Sequence, residues 1–360
     1  MKYREALILP SEDLGGAGTK TIDIDVDRPI SRLELTFKTT KASQGMSAPA
    51  PANIPKIELV DGSKVLHSLT GYENQALAYY NRRGVVMDHG QHISTLSEVD
   101  IYTLDFGRWL WDELLAFDAK RFANPQLKVT WDEDVSDTSV TANALEIIAH
   151  IFDEKIVMPI GFLAAKEHHA YTCGSENSYE HIALPEDRPI RQILVRAHRD
   201  GYEPWTTIDE ARLDEGTLQR IPWEHTDLEM FYRRMKSHWP LIVQQFAFIA
   251  DTGVLTFYVP MSDYYSGAVG IGLGATTEIW HSNASSKGGK LVIDASANTN
   301  ALGLAFGYLP WHCYQFPMGK KDDIEDWYDP GGKKPRLRLR AGSNGANGTG
   351  QVVLEELYKY

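Results

Sequence analysis

Apolar and polar residues alternate along much of this chain. In IDIDVD (22–27) Ile22, Ile24 and Val26 share one side and three aspartates the other. Leu33, Leu35 and Phe37 oppose Arg32, Glu34, Thr36 and Lys38, and Leu127, Val129 and Trp131 share a face in QLKVTW. A period of two with one apolar side marks a half-buried antiparallel strand, because successive side chains leave opposite faces of a sheet. Gly, Pro, Asn and Ser clusters separate these runs. Helical spacing is confined to short stretches at 73–83, 107–118 and 226–236. No succession of strand and long helix occurs, so a parallel α/β sheet is not expected. The pattern predicts an all-β chain built as β-sandwiches.

The pattern also repeats. DRPI stands at 27–30 and again at 187–190, each time opening a strand-like run. Further on, Gly62 and Gly216 each follow an acidic residue and precede Ser or Thr, a hairpin-turn signal. TGYENQALAYYNRR (70–83) and TDLEMFYRR (226–234) both open with Thr-x-x-Glu, the capping box in which two side chains satisfy free helix amides. NPQLKVTW (124–131) and KPRLRLRA (334–341) then close the two series. Matching features in one order at nearly constant offset are what a duplication leaves behind. The larger offset between Pro125 and Pro335 implies that the second copy gained roughly fifty residues, placed in the Gly-rich region 262–310. The chain is therefore read as an N-terminal sandwich over 1–165, a connector over 166–180 and a C-terminal sandwich over 181–360.

Composition narrows the function. With 360 residues, 43% of them hydrophobic, the chain can bury two cores. Cys173 and Cys313 are too few for a disulfide framework or a four-cysteine zinc site. The apolar run at the N-terminus is too short for a signal peptide, and the cytosol is the expected place of synthesis. The longest charge-free run, 295–319, is broken by Asn298, Asn300, Pro310, His312 and Gln315, so no membrane span is expected. A net charge of −13 argues against sequence-specific nucleic-acid binding, which needs clustered cations.

Candidate chemistry is sparse. GAVGIGLGAT (267–276) has dinucleotide-loop glycines but no following helix, and reads as a loop or Gly-rich strand. His168, His169 and Cys173 lie close in sequence, yet no partner motif completes a metal site. His312 beside Cys313 suggests a thiol–imidazole pair, but strand neighbours point apart. The acidic run 322–329 lacks the ligand spacing of a calcium loop. No catalytic set, cofactor loop or metal site is assigned, and the chain is not expected to be an enzyme. One feature has a direction: Lys334, Arg336, Arg338 and Arg340 share one parity and Leu337 and Leu339 the other, so a strand here carries four cations in a row. They read either as a solvated face set against the acidic run at 322–329, or as an assembly or anion-facing stripe.

Taken together, the repeated DRPI strands, IPKIELVDGSKVLHSLTGYENQALAYY (54–80) and PRLRLRAGSNGANGTGQVVLEELYKY (335–360) resemble the double jelly-roll major capsid proteins of tailless icosahedral viruses with an internal membrane, the tectivirus, corticovirus and adenovirus lineage. The resemblance implies two tandem jelly rolls standing upright in a shell, and homotrimers with a pseudo-hexagonal outline. It further implies minor capsid or penton proteins and an internal membrane as neighbours, no cofactor, and a place in the virion after synthesis in the host cytoplasm. It would put the basic stripe at a subunit wall or the shell base. A carbohydrate-binding or receptor-binding jelly roll is the alternative, for which Trp109, Trp111, Trp205, Trp223 and Trp239 would supply exposed aromatics.

Overall fold

The computed structural model describes residues 1–41, 46–82, 90–92, 97–136, 140–216, 218–250, 253–263, 271–272, 287–295 and 299–360. In the first half the elements are β1 (Tyr3–Asp13), β2 (Ala17–Asp23), β3 (Ile30–Lys41), β4 (Lys56–Asp61), β5 (Lys64–Leu69), α1 (Gly71–Arg82), β6 (Gly90–His92), β7 (Ser97–Asp105), β8 (Pro125–Asp132) and β9 (Val140–Phe152). The second half opens with β10 (Gly161–Thr172), β11 (Tyr179–Ala183), β12 (Ile190–His198), α2 (Pro204–Thr207), β13 (Ile208–Glu215), β14 (Arg220–His225) and α3 (Leu228–Met235). It continues with β15 (Ile242–Ala250), β16 (Gly253–Tyr258), β17 (Ile271–Gly272), β18 (Lys290–Ala295), β19 (Thr299–Gly307), β20 (Cys313–Pro317), β21 (Arg336–Ala341) and β22 (Thr349–Lys359).

The wiring is the same twice. One sheet of the first half runs β1-β9-β3-β7 and its partner β2-β8-β4-β5; the second half shows β10-β22-β12-β20 and β11-β21-β13-β14. Each is a jelly roll of two four-stranded sheets, and the alternating apolar faces fill the space between them. Two large apolar clusters result, one around Leu35, Leu59, Phe117 and Ile147, the other around Val195, Leu213, Tyr314 and Leu339. The two turns at Gly62 and Gly216 fall at the same point of each roll and have φ of 59° and 54°, a left-handed conformation that glycine adopts without a Cβ clash. A parallel contact between β5 and β10 at Ser68 and Lys166 joins the rolls into one eight-stranded sheet. They therefore stand side by side in the same orientation.

Helix α1 locks them. Its N-terminus is the predicted capping box: the Thr70 amide donates to Glu73 Oε2 at 2.9 Å and the Glu73 amide to Thr70 Oγ1 at 3.3 Å. Most of the helix is buried, polar residues included, because its far side belongs to the second roll. Tyr80 donates to the Cys313 carbonyl at 2.7 Å, Tyr79 to that of Pro240, and Gln75 accepts from Trp311 Nε1 at 2.7 Å. At its end Asn81 donates to Glu355 at 2.7 Å and accepts from Arg191 and Gln192 at 3.0 and 2.8 Å. Arg191 and Glu355 pair at 2.9 Å, each about 1% exposed. The exchange is reciprocal. Tyr358 and Tyr360, at the chain's end, pack on Phe162 against the first roll's core, and the Tyr360 hydroxyl donates to the Ala116 carbonyl at 2.8 Å.

Several expectations need correction. Residues 107–118 are not helical: they wind around Asp112, whose buried carboxylate accepts from Arg108 at 2.7 and 2.9 Å and from the Leu114 amide at 3.1 Å. Leu115 and Phe117 then bridge to Gly161 and Ile30, so strand partners compete successfully for this backbone. The second capping box shifts by one residue, since Asp227 accepts from the Met230 amide at 2.9 Å while Glu229 pairs with Arg233. Residues 166–172, within the expected connector, continue β10 as part of the eight-stranded sheet. Within the Gly-rich region 262–310, β18 and β19 pair with β16 and β15, two strands that precede it, and Leu291 and Ala305 are fully buried. The segment β6 from the first roll joins this insertion beside β15.

Removing Glu355 tests the lock. Glu355→Ala leaves Arg191 buried without its counter-ion and should cost about 3–5 kcal/mol, against about 1 kcal/mol for loss of the α1 cap in Thr70→Ala. Urea denaturation of both variants checks the ranking; equal losses would show that the buried pair is not a principal tie.

Candidate functional site

The basic strand is the feature that sequence reasoning singled out. Leu337 and Leu339 are fully buried, while Arg336, Arg338 and Arg340 line the outer face of β21. Neighbouring strands answer all three arginines. Arg336 pairs with Asp214 at 3.4 Å, Arg338 with Glu210 and, at 3.5 Å, Glu224, and Arg340 with Asp209 and Glu210 at 2.8 and 3.1 Å. Burial works against the Arg340 charge, but the hydrogen bond to Asp209 outweighs it and raises the guanidinium pKa further. Opposite charges across adjacent strands stabilise a sheet face, and the partners lie on β13 and β14 or just beside them, not in the acidic run at 322–329. That signal was present in DEARLDE (209–215), which carries acids at the matching parity. Lys334 is not part of this row. It precedes the strand, with φ of 48°.

The remaining candidates do not converge. His169 meets Glu180 at 3.0 Å, His168 meets the Ala183 carbonyl at 2.8 Å, and Cys173 is buried elsewhere. His312 contacts Ser262 Oγ at 3.0 Å and the Tyr202 carbonyl at 3.2 Å, whereas the Cys313 thiol faces the Trp311 carbonyl. Burial raises the Cys313 pKa, which makes it a poor nucleophile. In the acidic run, Asp323 and Asp326 accept from backbone amides of Glu325 and Lys320. Among the described residues no group of three or more His, Cys, Asp or Glu could hold a metal ion. Most of GAVGIGLGAT lies outside the described residues. Four of the five tryptophans named as aromatic candidates are packing elements: Trp205 stacks on Tyr232, Trp223 on Phe316, Trp111 packs on Phe152 and Trp239 is buried. Trp109 alone of these is exposed, beneath the Arg108 guanidinium.

Buried titratable groups lie in both rolls. Asp105 sits between Arg32 and Arg82; burial would raise its pKa, but the two guanidinium groups, Arg82 first, hold it below the usual range. Burial, reinforced by Glu167 of β10, pushes Glu73 up to about 8. Burial depresses His67 to about 3, with Lys166 adding to the effect. His198 and His225 are likewise lowered, to about 3 and about 4, mainly by burial.

Two like-wired rolls joined through one sheet define a double jelly roll. No protein-family model matches the sequence, and no curated protein matches it. Solved structures do match the fold. The major capsid protein of bacteriophage PM2 aligns over 99% of this chain and 98% of its own, with TM-score 0.55 and 10% identity. The major capsid protein of Sulfolobus Turreted Icosahedral Virus covers 95% and 96%, with TM-score 0.54 and 10% identity. PBCV-1 VP54 covers 98% and 94%, with TM-score 0.56 and 9% identity. The likeness is one of fold, and it spans whole chains.

Two predictions belong to these sites. Arg338→Glu sets a carboxylate against Glu210 and Glu224 and should cost the folded chain itself about 1–3 kcal/mol; an unchanged urea midpoint would show that the ion pairs hold nothing. His67 has its folded pKa below its unfolded one, so its contribution is present above pH 6.5 and is lost as pH falls toward about 3. His67→Leu should therefore flatten the stability–pH slope over that window by about 1.4 kcal/mol per pH unit, measured by denaturation at stepped pH. An unaltered slope would mean that His67 does not titrate there.

Proposed function

We propose that this chain is the major capsid protein of an icosahedral virus, and that three copies close into a pseudo-hexagonal trimer. One observation carries the reading: two rolls of identical wiring, fixed in one orientation by a buried polar seam, in a fold shared along whole chains with three viral coat proteins. A shell tile must present repeated corners at constant spacing. Two similar rolls per chain and threefold closure supply six, and a closed ring stops the contact from growing into a fibre. The chain serves as structure, without turnover of substrate. The coat-protein role of the structures that share the fold supports this, and so does the use of most candidate tryptophans in packing. The net charge of −13 weighs against sequence-specific nucleic-acid binding. Within this reading the two units divide in 153–160, ahead of β10, and the arginines of β21 serve their own sheet.

The test is mass and morphology. Light scattering should give three times the 40.5 kDa chain mass in dilute solution, and electron microscopy of concentrated protein should show hexagonal tiles or particles. A protein that stays monomeric across salt and concentration would overturn the proposal.

A further inference from the structure

The second roll carries a hollow beside one of its turns. It has a volume of about 490 Å³ and lies between the β13–β14 turn and the segment leading into β21, lined by Glu215, Gly216, Gln219, Arg220, Lys333 and Lys334, with Gly332 beside them. Three of these residues are cations and one is an acid. The acid is already taken: Arg220 Nη1 contacts both Glu215 oxygens, at 3.1 and 3.0 Å. Lys333 sits over the Tyr328 ring at 4.8 Å from its centroid, a contact that leaves its charge uncompensated. Lys334 has no acid within ion-pair distance among the described residues, and it holds a left-handed backbone, costly for a side chain of this kind.

Duplication supplies an internal control. The first roll has the same turn, with Asp61 before Gly62, and the same proline at the start of its penultimate strand. Ahead of Pro125, however, stand Ala123 and Asn124 where Lys333 and Lys334 precede Pro335. There the Asn124 amide donates to the turn acid, Asp61, at 2.8 Å. In the second roll Arg220 draws the acid away and two lysines line the opening. Gly332, with φ of 69° and open space around the position a Cβ would take, keeps the entrance clear. Paired lysines and an arginine at a glycine-lined turn suit the negatively charged tetrahedral oxygens of a phosphate group.

We propose that this hollow binds a phosphate group, carried either by a free phosphate or by a phospholipid headgroup. The site lies in the second roll and does not depend on the coat-protein reading. The test replaces the two lysines by the first roll's residues, Lys333→Ala with Lys334→Asn, with Lys333→Gln/Lys334→Gln as a second variant in case the first fails to fold. Inorganic phosphate titrated calorimetrically at low salt should bind the unaltered chain about tenfold more tightly than either variant, with unfolding midpoints alike. Flotation with phosphatidylglycerol vesicles, against phosphatidylcholine vesicles, separates the sources. Capture by phosphatidylglycerol only, lost in the variants and competed by phosphate, assigns the headgroup. Phosphate binding without capture assigns the free ion. Equal phosphate affinity in all three proteins, or binding in none, overturns the site.

Discussion

The pair formed by Arg191 and Glu355, closed by Asn81, is the interaction on which the architecture turns. Two full charges are held in the interior, where desolvation costs several kcal/mol per ion and attraction repays it only with good geometry and further hydrogen bonds. Both conditions hold. Arg191 also donates to the Lys321 carbonyl at 3.0 Å, Gln192 donates to Glu355 at 2.6 Å, and Asn81 bridges the set at 2.7–3.0 Å. Arg191 and Glu355 lie on adjacent strands of the second roll, while Asn81 ends a helix of the first. An apolar contact at this place would tolerate sliding, because dispersion is nearly direction-free. A charged network with every group satisfied does not, so the second roll dictates where α1 must end.

Everything between the rolls follows from that constraint. Because α1 is pinned at Asn81 and capped at Thr70, its tyrosines reach the Cys313 and Pro240 carbonyls. Between the same two rolls β6 adds to β15 as a parallel partner. At the end of β22 the half-buried Tyr358 and Tyr360 pack against the first roll's core beside Phe162 and Phe122. A sheet shared across the junction and side chains exchanged in both directions tie the two rolls together.

Much of this was legible in the sequence, and the reason is physical. Alternation reports which face of a strand is buried, and the repeat of DRPI, Gly62/Gly216 and Pro125/Pro335 reports the wiring, since turns and strand starts follow local rules. The interlock was not legible, because Asn81, Gln75 and Tyr80 look like ordinary helix residues until their partners over a hundred positions away are known. Residues 107–118 show the opposite failure. Their spacing is helical, yet the buried Asp112 and the strand partners of Leu115 and Phe117 satisfy the backbone better than a helix would. The acids opposite the β21 arginines were within reach, since Glu210 and Asp214 have the correct parity, but choosing them required knowing that β21 lies next to β13.

The two copies have diverged where divergence is cheapest. Their common wiring is tied to cores that tolerate little change in volume, and the seam ties α1 in one roll to β12 and β22 in the other. Turns and the loops after the helices are free of both constraints. The second roll's loop has grown into β15–β19, and its β13–β14 turn borders a cationic hollow. A duplicated chain fixed at its seam can thus give its two units different surfaces at opposite ends while keeping their spacing. Sequence identity of 9–10% to structures sharing the whole fold fits that division: the wiring is set by which strand faces are buried and where the chain turns, and many different residues satisfy both.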